Sequence, residues 1–389
     1  MKGEHQALRI LHTAFSYPPE VSGIPEVVSQ LSIRLARLGH EVHVATGWPP
    51  GCAQTEIRDG VHVHRFAVMG SALQGYSGEV ERYTAFVGEG QWDVIAMHCA
   101  QVWSTDLLLP RLSHLGCGKV FVPHGLSAYG KKGTDSYFES LARALQGVTM
   151  VSLAKGLEDD AFCARYRLPA QVVIPNGVDV AAWRTPALGV RDRWRIHTRP
   201  WLVTVSNHNA NKGHPEFFRL LAAVRREAPT VIGTIIGKHH RAVRWRAGRL
   251  GIKGGCWYRC RLRSLFSRTV SLLPDVERND VVSAIKEADI VVCTSRWEAS
   301  PLSILEAMAA GTPWVSMDVG AVRDLAGGIV VDSVEAMRET VVALLRSPEK
   351  RNELGRDGIA RIGSVHDWDN IARRYAELYG AICREHLTR

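Results

Sequence analysis

Nowhere in the 389 residues does an unbroken apolar run reach 18, so the sequence offers no membrane-spanning helix. The opening stretch MKGEHQALRILHTAF is polar and then strand-like, unlike a secretory leader. The eight cysteines never stand as a CxxC pair. Cys256 and Cys260 come closest, and their spacing alone is a weak metal signal. Reduced thiols are the expectation. No short-period repeat and no Asp-rich metal motif is present. Acid is missing from one long segment: Ala228 to Pro274 has no Asp or Glu and carries ten Lys or Arg. The whole chain is +9, so the remainder is −1, and the basicity is a local feature.

What is present reads as two α/β domains. Apolar content of 46% with 22% charged residues suits a soluble globular protein, and the length exceeds one ordinary core. The strand-like LRILHTAF precedes the loop SYPPEVSGI. A helix then opens at Pro25 and Glu26, with Val27, Val28, Leu31, Leu35 and Leu38 on one face. Gly39 ends it and EVHVAT follows as a strand, which completes a parallel βαβ unit. Further strands are expected at VHVHRFAV, WDVIAMHC, KVFVPH, VTMVSLA and AQVVIPNGVD. The polar segment AAWRTPALGVRDRWRIHTRP reads as a link. The pattern restarts with WLVTVS, a loop, the helix HPEFFRLLAAVRREA and TVIGTIIG. Later strands fall at VSLLP, DIVVCTS, PWVSMD and GGIVVD, with a helix near RNDVVSAIKEA. The expected architecture is two facing Rossmann-like domains with doubly wound parallel sheets. Ligands belong at the carboxyl ends of such strands.

One segment concentrates the chemistry. In RWEASPLSILEAMAAGTP, Glu298 and Glu306 stand eight residues apart after a buried strand. Ser300 is a good N-cap and Pro301 suits the first helical position, so a helix is expected from about Pro301 to Ala310. Its first N–H groups, at Leu302, Ser303 and Ile304, make an anion site. A carboxylate in the loop can accept bonds from ligand hydroxyls. A phosphate at the helix mouth with hydroxylated rings on either side fits a nucleoside-diphosphate sugar. Spacing alone favours the plainer reading, in which Glu298 merely caps the helix and Glu306 is solvated.

The same residues resemble a known family. Glu, seven residues, Glu and then AMAAGTP is similar to the signature of retaining GT-B glycosyltransferases of family 4. Four other segments agree in order: YPPEVSGIPEVVSQLSIRLARLGHEVHVAT, VFVPHGL, VIPNGVD and WDNIARRYAELY. The last resembles the terminal helix that crosses back to the N-terminal domain. The implied domains are therefore 1–180 with 368–389 on the acceptor side, and 181–367 for the nucleotide sugar, with a cleft between. The resemblance implies that Glu298 contacts the donor sugar, Glu306 holds the ribose, and the backbone at Ser300, Pro301, Leu302 and Ser303 meets sugar and diphosphate. His124 maps beside the reacting carbon, Gly23 to the loop approaching the diphosphate, and His98 to the acceptor side, where a packed core histidine is the competing reading.

Two departures concern the nucleotide. Where the family has Arg and Lys after the first strand of the second domain, this chain reads VSNHNANKG: Lys212 is kept and Asn207 stands at the arginine position, beside His208. Diphosphate binding then leans on Lys212 and the helix dipole. The family's GDGP-like turn is GKHH here. The implied reaction is transfer with retention, without metal or other cofactor, from a UDP-sugar, or failing that a GDP-sugar, to a glycan or lipid-linked acceptor. Surface polysaccharide or lipopolysaccharide assembly is the expected setting. The alternative is an epimerase or a sugar-nucleotide-binding protein on the same fold. The basic stretch Arg241–Arg268, with Trp245, Trp257, Tyr258 and Phe266 interleaved, has several readings: anionic lipid, a diphosphate-linked acceptor, a solvated face, or, least favoured, nucleic acid. Lipid leads, because many relatives build lipid-linked glycans. The expected location is the cytoplasm, or the inner face of the cytoplasmic membrane as a peripheral protein.

Overall fold

The computed structural model describes residues 7–20, 22–72, 74–169, 171–197, 199–238, 255–267 and 269–388. The chain divides into one unit of Met1–Asn176 with Trp368–Arg389, and a second of Gly177–Asp367.

In the first unit the strands are β1 (Arg9–Thr13), β2 (Glu41–Gly47), β3 (Thr55–Arg58), β4 (Val61–Phe66), β5 (Val68–Ser71), β6 (Gly75–Gly78), β7 (Val94–His98), β8 (Gly118–Val122), β9 (Thr149–Ser152) and β10 (Val172–Val173). Eight of them form a sheet in the order β10-β9-β8-β7-β1-β2-β4-β3. All its pairings are parallel except β3 with β4 at the edge. β5 and β6 make a separate antiparallel ribbon. The strand order reverses between β1 and β7, which is where a doubly wound sheet opens a crevice. The helix after β1 runs from Gly23 to Arg37, two residues earlier than its proline suggests. Pro25 lies in its first turn, where the missing N–H costs nothing. Helix Trp368–Leu387 packs here too: Arg34 donates to Asp369 at 2.7 Å, and Tyr379 is fully buried beside His12.

The second unit holds β11 (Trp201–Val205), β12 (Ile232–Ile236), β13 (Val270–Leu273), β14 (Ile290–Cys293), β15 (Trp314–Met317) and β16 (Gly328–Val331). Their order, β13-β12-β11-β14-β15-β16, is the dinucleotide-fold order, and every pairing is parallel. Helices on both faces explain why WLVTV and IGTII read as near-continuous apolar runs. Trp201 and Trp314 are fully buried, and their indole N–H groups donate to Thr234 Oγ1 (2.8 Å) and the Ala326 carbonyl (2.9 Å). The expected link segment is not loose. Trp183, Val190 and Ile196 are buried in the second unit's core, and Glu287 accepts from the N–H groups of Gly189, Val190 and Arg191.

Candidate functional site

The reversal of strand order in the second unit falls between β11 and β14. The loops leaving these two strands are bonded to each other. Arg296 N–H donates to the Asn211 carbonyl at 2.7 Å, and Thr294 Oγ1 donates to the Gly213 carbonyl at 2.9 Å. Gly213 adopts φ +62°, and a Cβ there would lie 1.7 Å from the Thr294 carbonyl oxygen, so only glycine lets the loops approach this closely.

That contact brings Lys212 to Glu298, 86 residues later. Lys212 Nζ donates to both carboxylate oxygens at 2.7 and 2.9 Å, and Ser295 Oγ donates to Glu298 Oε1 at 2.7 Å. Both charges are largely shielded from water, with side-chain exposures of 27% and 12%. Burial and the Glu298 carboxylate push the neighbouring Cys293 thiol upward.

The helix that follows is Leu302–Ala310. Pro301, not Ser300, is its cap residue, with extended backbone at φ −72° and ψ 112°. The Ile304 N–H donates to the Pro301 carbonyl at 3.1 Å, which takes it out of the expected donor set and leaves the mouth to Leu302 and Ser303. Gly311 closes the helix in the left-handed region at φ 71°. Glu306 is buried on this helix and ion-paired with Arg278, the first residue of helix Arg278–Glu287. Arg278 also lies over the Trp183 ring, 5.6 Å from its centroid. Sequence reasoning missed Arg278. Its one signal is a cation in a helix's first turn, where the dipole disfavours it and an acidic partner is called for.

Asn207 sits in the loop just beyond β11, but its Oδ1 accepts from the Lys238 N–H at 3.1 Å. Half of the amide therefore braces the β11 and β12 loops. Gly237 presses on the same place: a Cβ there would meet the Ser206 carbonyl at 1.9 Å.

In the first unit, Gly23 is the exposed first residue of helix Gly23–Arg37 rather than a loop residue. His98 ends β7 at the switch point, and His124 follows β8. His98 is fully buried, and its Nδ1 lies 2.9 Å from His124 Nε2. The His98 ring also meets His12 edge-on at 5.1 Å between centroids. Burial depresses all three rings: His12 to about 3, His124 to about 4, and His98 well below the ordinary value. They are neutral at pH 7, so each offers one donor and one acceptor nitrogen. His124 has φ +53°, which turns the chain sharply beyond β8.

Of the basic stretch, Arg241, Arg244, Trp245, Arg246, Arg249, Lys253 and Arg268 lie outside the described residues. Helix Gly255–Ser267 carries the rest, with Tyr258, Leu262, Leu265 and Phe266 exposed beside exposed Arg259, Arg261 and Arg263. Among the described residues no helix is long and apolar enough to cross a membrane.

The family model described as "Glycosyl transferases group 1" matches residues 199–347, and "Glycosyltransferase Family 4" matches 21–182. The GDP-mannose:cellobiosyl-diphosphopolyprenol alpha-mannosyltransferase of Xanthomonas campestris is 23% identical over 96% of this chain and 97% of its own length. Sucrose-phosphate synthase from Thermosynechococcus elongatus superposes with a TM-score of 0.78 at 17% identity, over 96% of this chain and 99% of that one. Anabaena Alr3699/HepE, solved in complex with UDP-glucose, gives 0.77 at 15% identity, over 96% and 100%.

Proposed function

We infer the reaction from one premise: the chain is a GT-B glycosyltransferase of the family 4 type, acting on a nucleotide-sugar donor. The proposed reaction is transfer with retention to a hydroxyl of a glycan or lipid-linked acceptor. Retention follows from the resemblance to the family; the observation that supports a donor site is the meeting of Lys212, Glu298 and the mouth of helix Leu302–Ala310 at the switch point.

Lys212 and Glu298 neutralise each other in the free protein. An incoming diphosphate competes for the Lys212 ammonium, and the released carboxylate is then free to accept bonds from sugar hydroxyls. One ion pair thus becomes two ligand contacts of opposite sign. The N–H groups of Leu302 and Ser303 meet the phosphate at the helix mouth, where preorganised donors stabilise charge building on a leaving group by several kcal/mol. Glu306, oriented by Arg278, takes the ribose. The leaving phosphate accepts the acceptor's proton, so no enzymic nucleophile is required. The resemblance assigns His124 the place beside the reacting carbon. His98, fully buried, positions His124 rather than touching the acceptor. No step calls for a metal.

The test is a panel of UDP-, GDP- and ADP-sugars, screened first by thermal shift and then for transfer. The panel includes GDP-mannose, for which the Xanthomonas relative is named, and UDP-glucose, present in the Anabaena structure. Glu298→Gln and Glu306→Ala should each cut turnover at least about 100-fold while the melting temperature holds, because each removes a contact of several kcal/mol. Near wild-type turnover of either variant at saturating donor would show its assignment to be wrong.

A second reading concerns where the enzyme works. The exposed apolar stripe on helix Gly255–Ser267, flanked by three arginines, fits the headgroup region of an anionic bilayer. A polyprenol-linked acceptor, like the one in the Xanthomonas enzyme's name, would lie in such a bilayer.

A further inference from the structure

Four side chains in the second unit converge away from the Lys212–Glu298 pair. His208 lies in the loop after β11, His214 opens helix His214–Val224, and Cys256 and Cys260 stand one turn apart on helix Gly255–Ser267. One ligand atom from each, a ring nitrogen or a sulfur, lies within 4.8 Å of the other three. Cys256 Sγ is 3.4 Å from His214 Nδ1, 3.8 Å from His208 Nδ1 and 4.0 Å from Cys260 Sγ. A tetrahedral zinc ion with ordinary bond lengths needs edges of about 3.6 Å for N to S and about 3.8 Å for S to S. We infer that His208, His214, Cys256 and Cys260 form a structural zinc site.

The surroundings suit that ion. Both histidines and Cys260 are buried, and Cys256 is half-buried. Two thiolates, two neutral imidazoles and Zn²⁺ sum to zero charge, the condition under which ionic groups can be buried without a large penalty. His214 Nε2 lies 2.8 Å from Ser206 Oγ. A proton held there leaves Nδ1 facing the thiols, the usual outer support of a zinc-bound histidine. His208 Nε2 is buried with no hydrogen-bond partner among the described residues. With Nδ1 on the metal, Nε2 carries the ring's proton and stays unpaired, a cost that the metal bonds must exceed. The pairs also follow zinc spacings, His-x5-His and Cys-x3-Cys.

Four protein ligands leave no open position, so the ion is structural rather than catalytic. It joins helix Gly255–Ser267 to the loop 208–214, which carries Lys212. The metal would therefore fix the backbone from which Lys212 reaches Glu298. The inference stands whether or not the donor assignment holds.

The test uses the whole chain, purified without a metal-binding tag and dialysed exhaustively. Mass spectrometry of metals should find about one zinc per chain, falling below about a tenth in the Cys256→Ser/Cys260→Ser double variant. Cobalt(II) added to zinc-stripped protein should give tetrahedral d–d bands and thiolate-to-cobalt charge transfer, both lost in the variant. Should the double variant fail to fold, His208→Ala and thiol titration of the wild type replace it: modifying the two cysteines with a mercurial should release the zinc to a chelating dye. A wild type that holds no zinc and gives no cobalt spectrum overturns the inference. So does full zinc in the cysteine variant, or a Cys256–Cys260 disulfide in protein prepared without oxidant.

Discussion

Glu298 holds Lys212 through two short bonds, so on the proposed reading ligand binding begins by exchanging one partner of a half-buried cation for another. A charge-assisted bond is worth roughly 1.5–3 kcal/mol, so Lys212→Ala should weaken nucleoside-diphosphate binding by about 10- to 150-fold. Asn207→Ala should cost less than about 10-fold, because a neutral bond is worth about 1 kcal/mol. The Oδ1 of Asn207 is moreover already engaged by the Lys238 N–H. Glu298→Gln separates binding from turnover: it frees the ammonium, so diphosphate affinity should hold or rise while transfer falls. Calorimetric titration with UDP and GDP checks all three, and a Glu298→Gln variant that loses diphosphate affinity would mean the ion pair is not what the ligand displaces. Both residues were legible in the sequence, one as a motif before a helix and the other as a lysine in the loop after a strand, but their ion pair across 86 residues was not. Arg278 was not, because 28 residues separate it from Glu306 and no periodicity links them.

Helix Gly255–Ser267 shows why the basic segment could be flagged in the sequence but not assigned. Charge counting finds the arginines, whereas only the fold separates the helix into faces. Cys256, Trp257 and Cys260 turn inward, and Tyr258, Leu262, Leu265 and Phe266 turn outward. The zinc ligands were hidden for a related reason: a four-residue cysteine spacing says little until the fold sets it against two histidines more than 40 residues earlier. Elsewhere strand periodicity served well for β11, β12 and β14, whose apolar runs are long enough to read. It missed β3, an exposed edge strand with little apolar signal, and overstated β10, which Pro175 restricts to Val172–Val173. The outward face predicts lipid binding. Each arginine contributes about 1 kcal/mol at an anionic surface, so three contribute about 3 kcal/mol, or roughly 150-fold. The chain should sediment with vesicles containing anionic lipid, release as salt rises, and bind about 100-fold more weakly as Arg259→Ser/Arg261→Ser/Arg263→Ser. Phe266→Ser with Leu262→Ser should weaken it too, since one weak anchoring signal alone holds marginally. Binding that ignores lipid charge would remove the membrane reading, and loss of transfer to a water-soluble acceptor in the arginine variant would move the segment into the active site.

At the scale of the molecule, two sheets that each reverse strand order beside their first strand have been given different chemistry. The second unit places fixed charges at its switch point, and the first places neutral histidines at its own. That difference predicts how the protein meets acid. His12, His98 and His124 are buried in the first unit, and His43 and His64 on β2 and β4 are also depressed, His64 to about 4. Folded-state values below 6.5 mean that the unfolded chain binds more protons once pH drops under 6.5. The stability held by neutral rings is therefore complete above pH 6.5 and drains away toward about 4 for His124 and about 3 for His12. Two carboxyls oppose this. Burial raises Asp159 to about 6 and also raises Asp106, so acidification relieves their cost. Each group contributes at most about 1.4 kcal/mol per pH unit, and five histidines against two carboxyls leave a net loss. Hydrogen exchange from pH 7 to pH 5, corrected for the intrinsic rate, should show β1, β7 and β8 losing protection together, because the three buried rings hang from the ends of those strands. Unchanged protection there would mean that the rings accept protons without loosening the sheet, and that the histidine cluster carries no part of the first unit's stability.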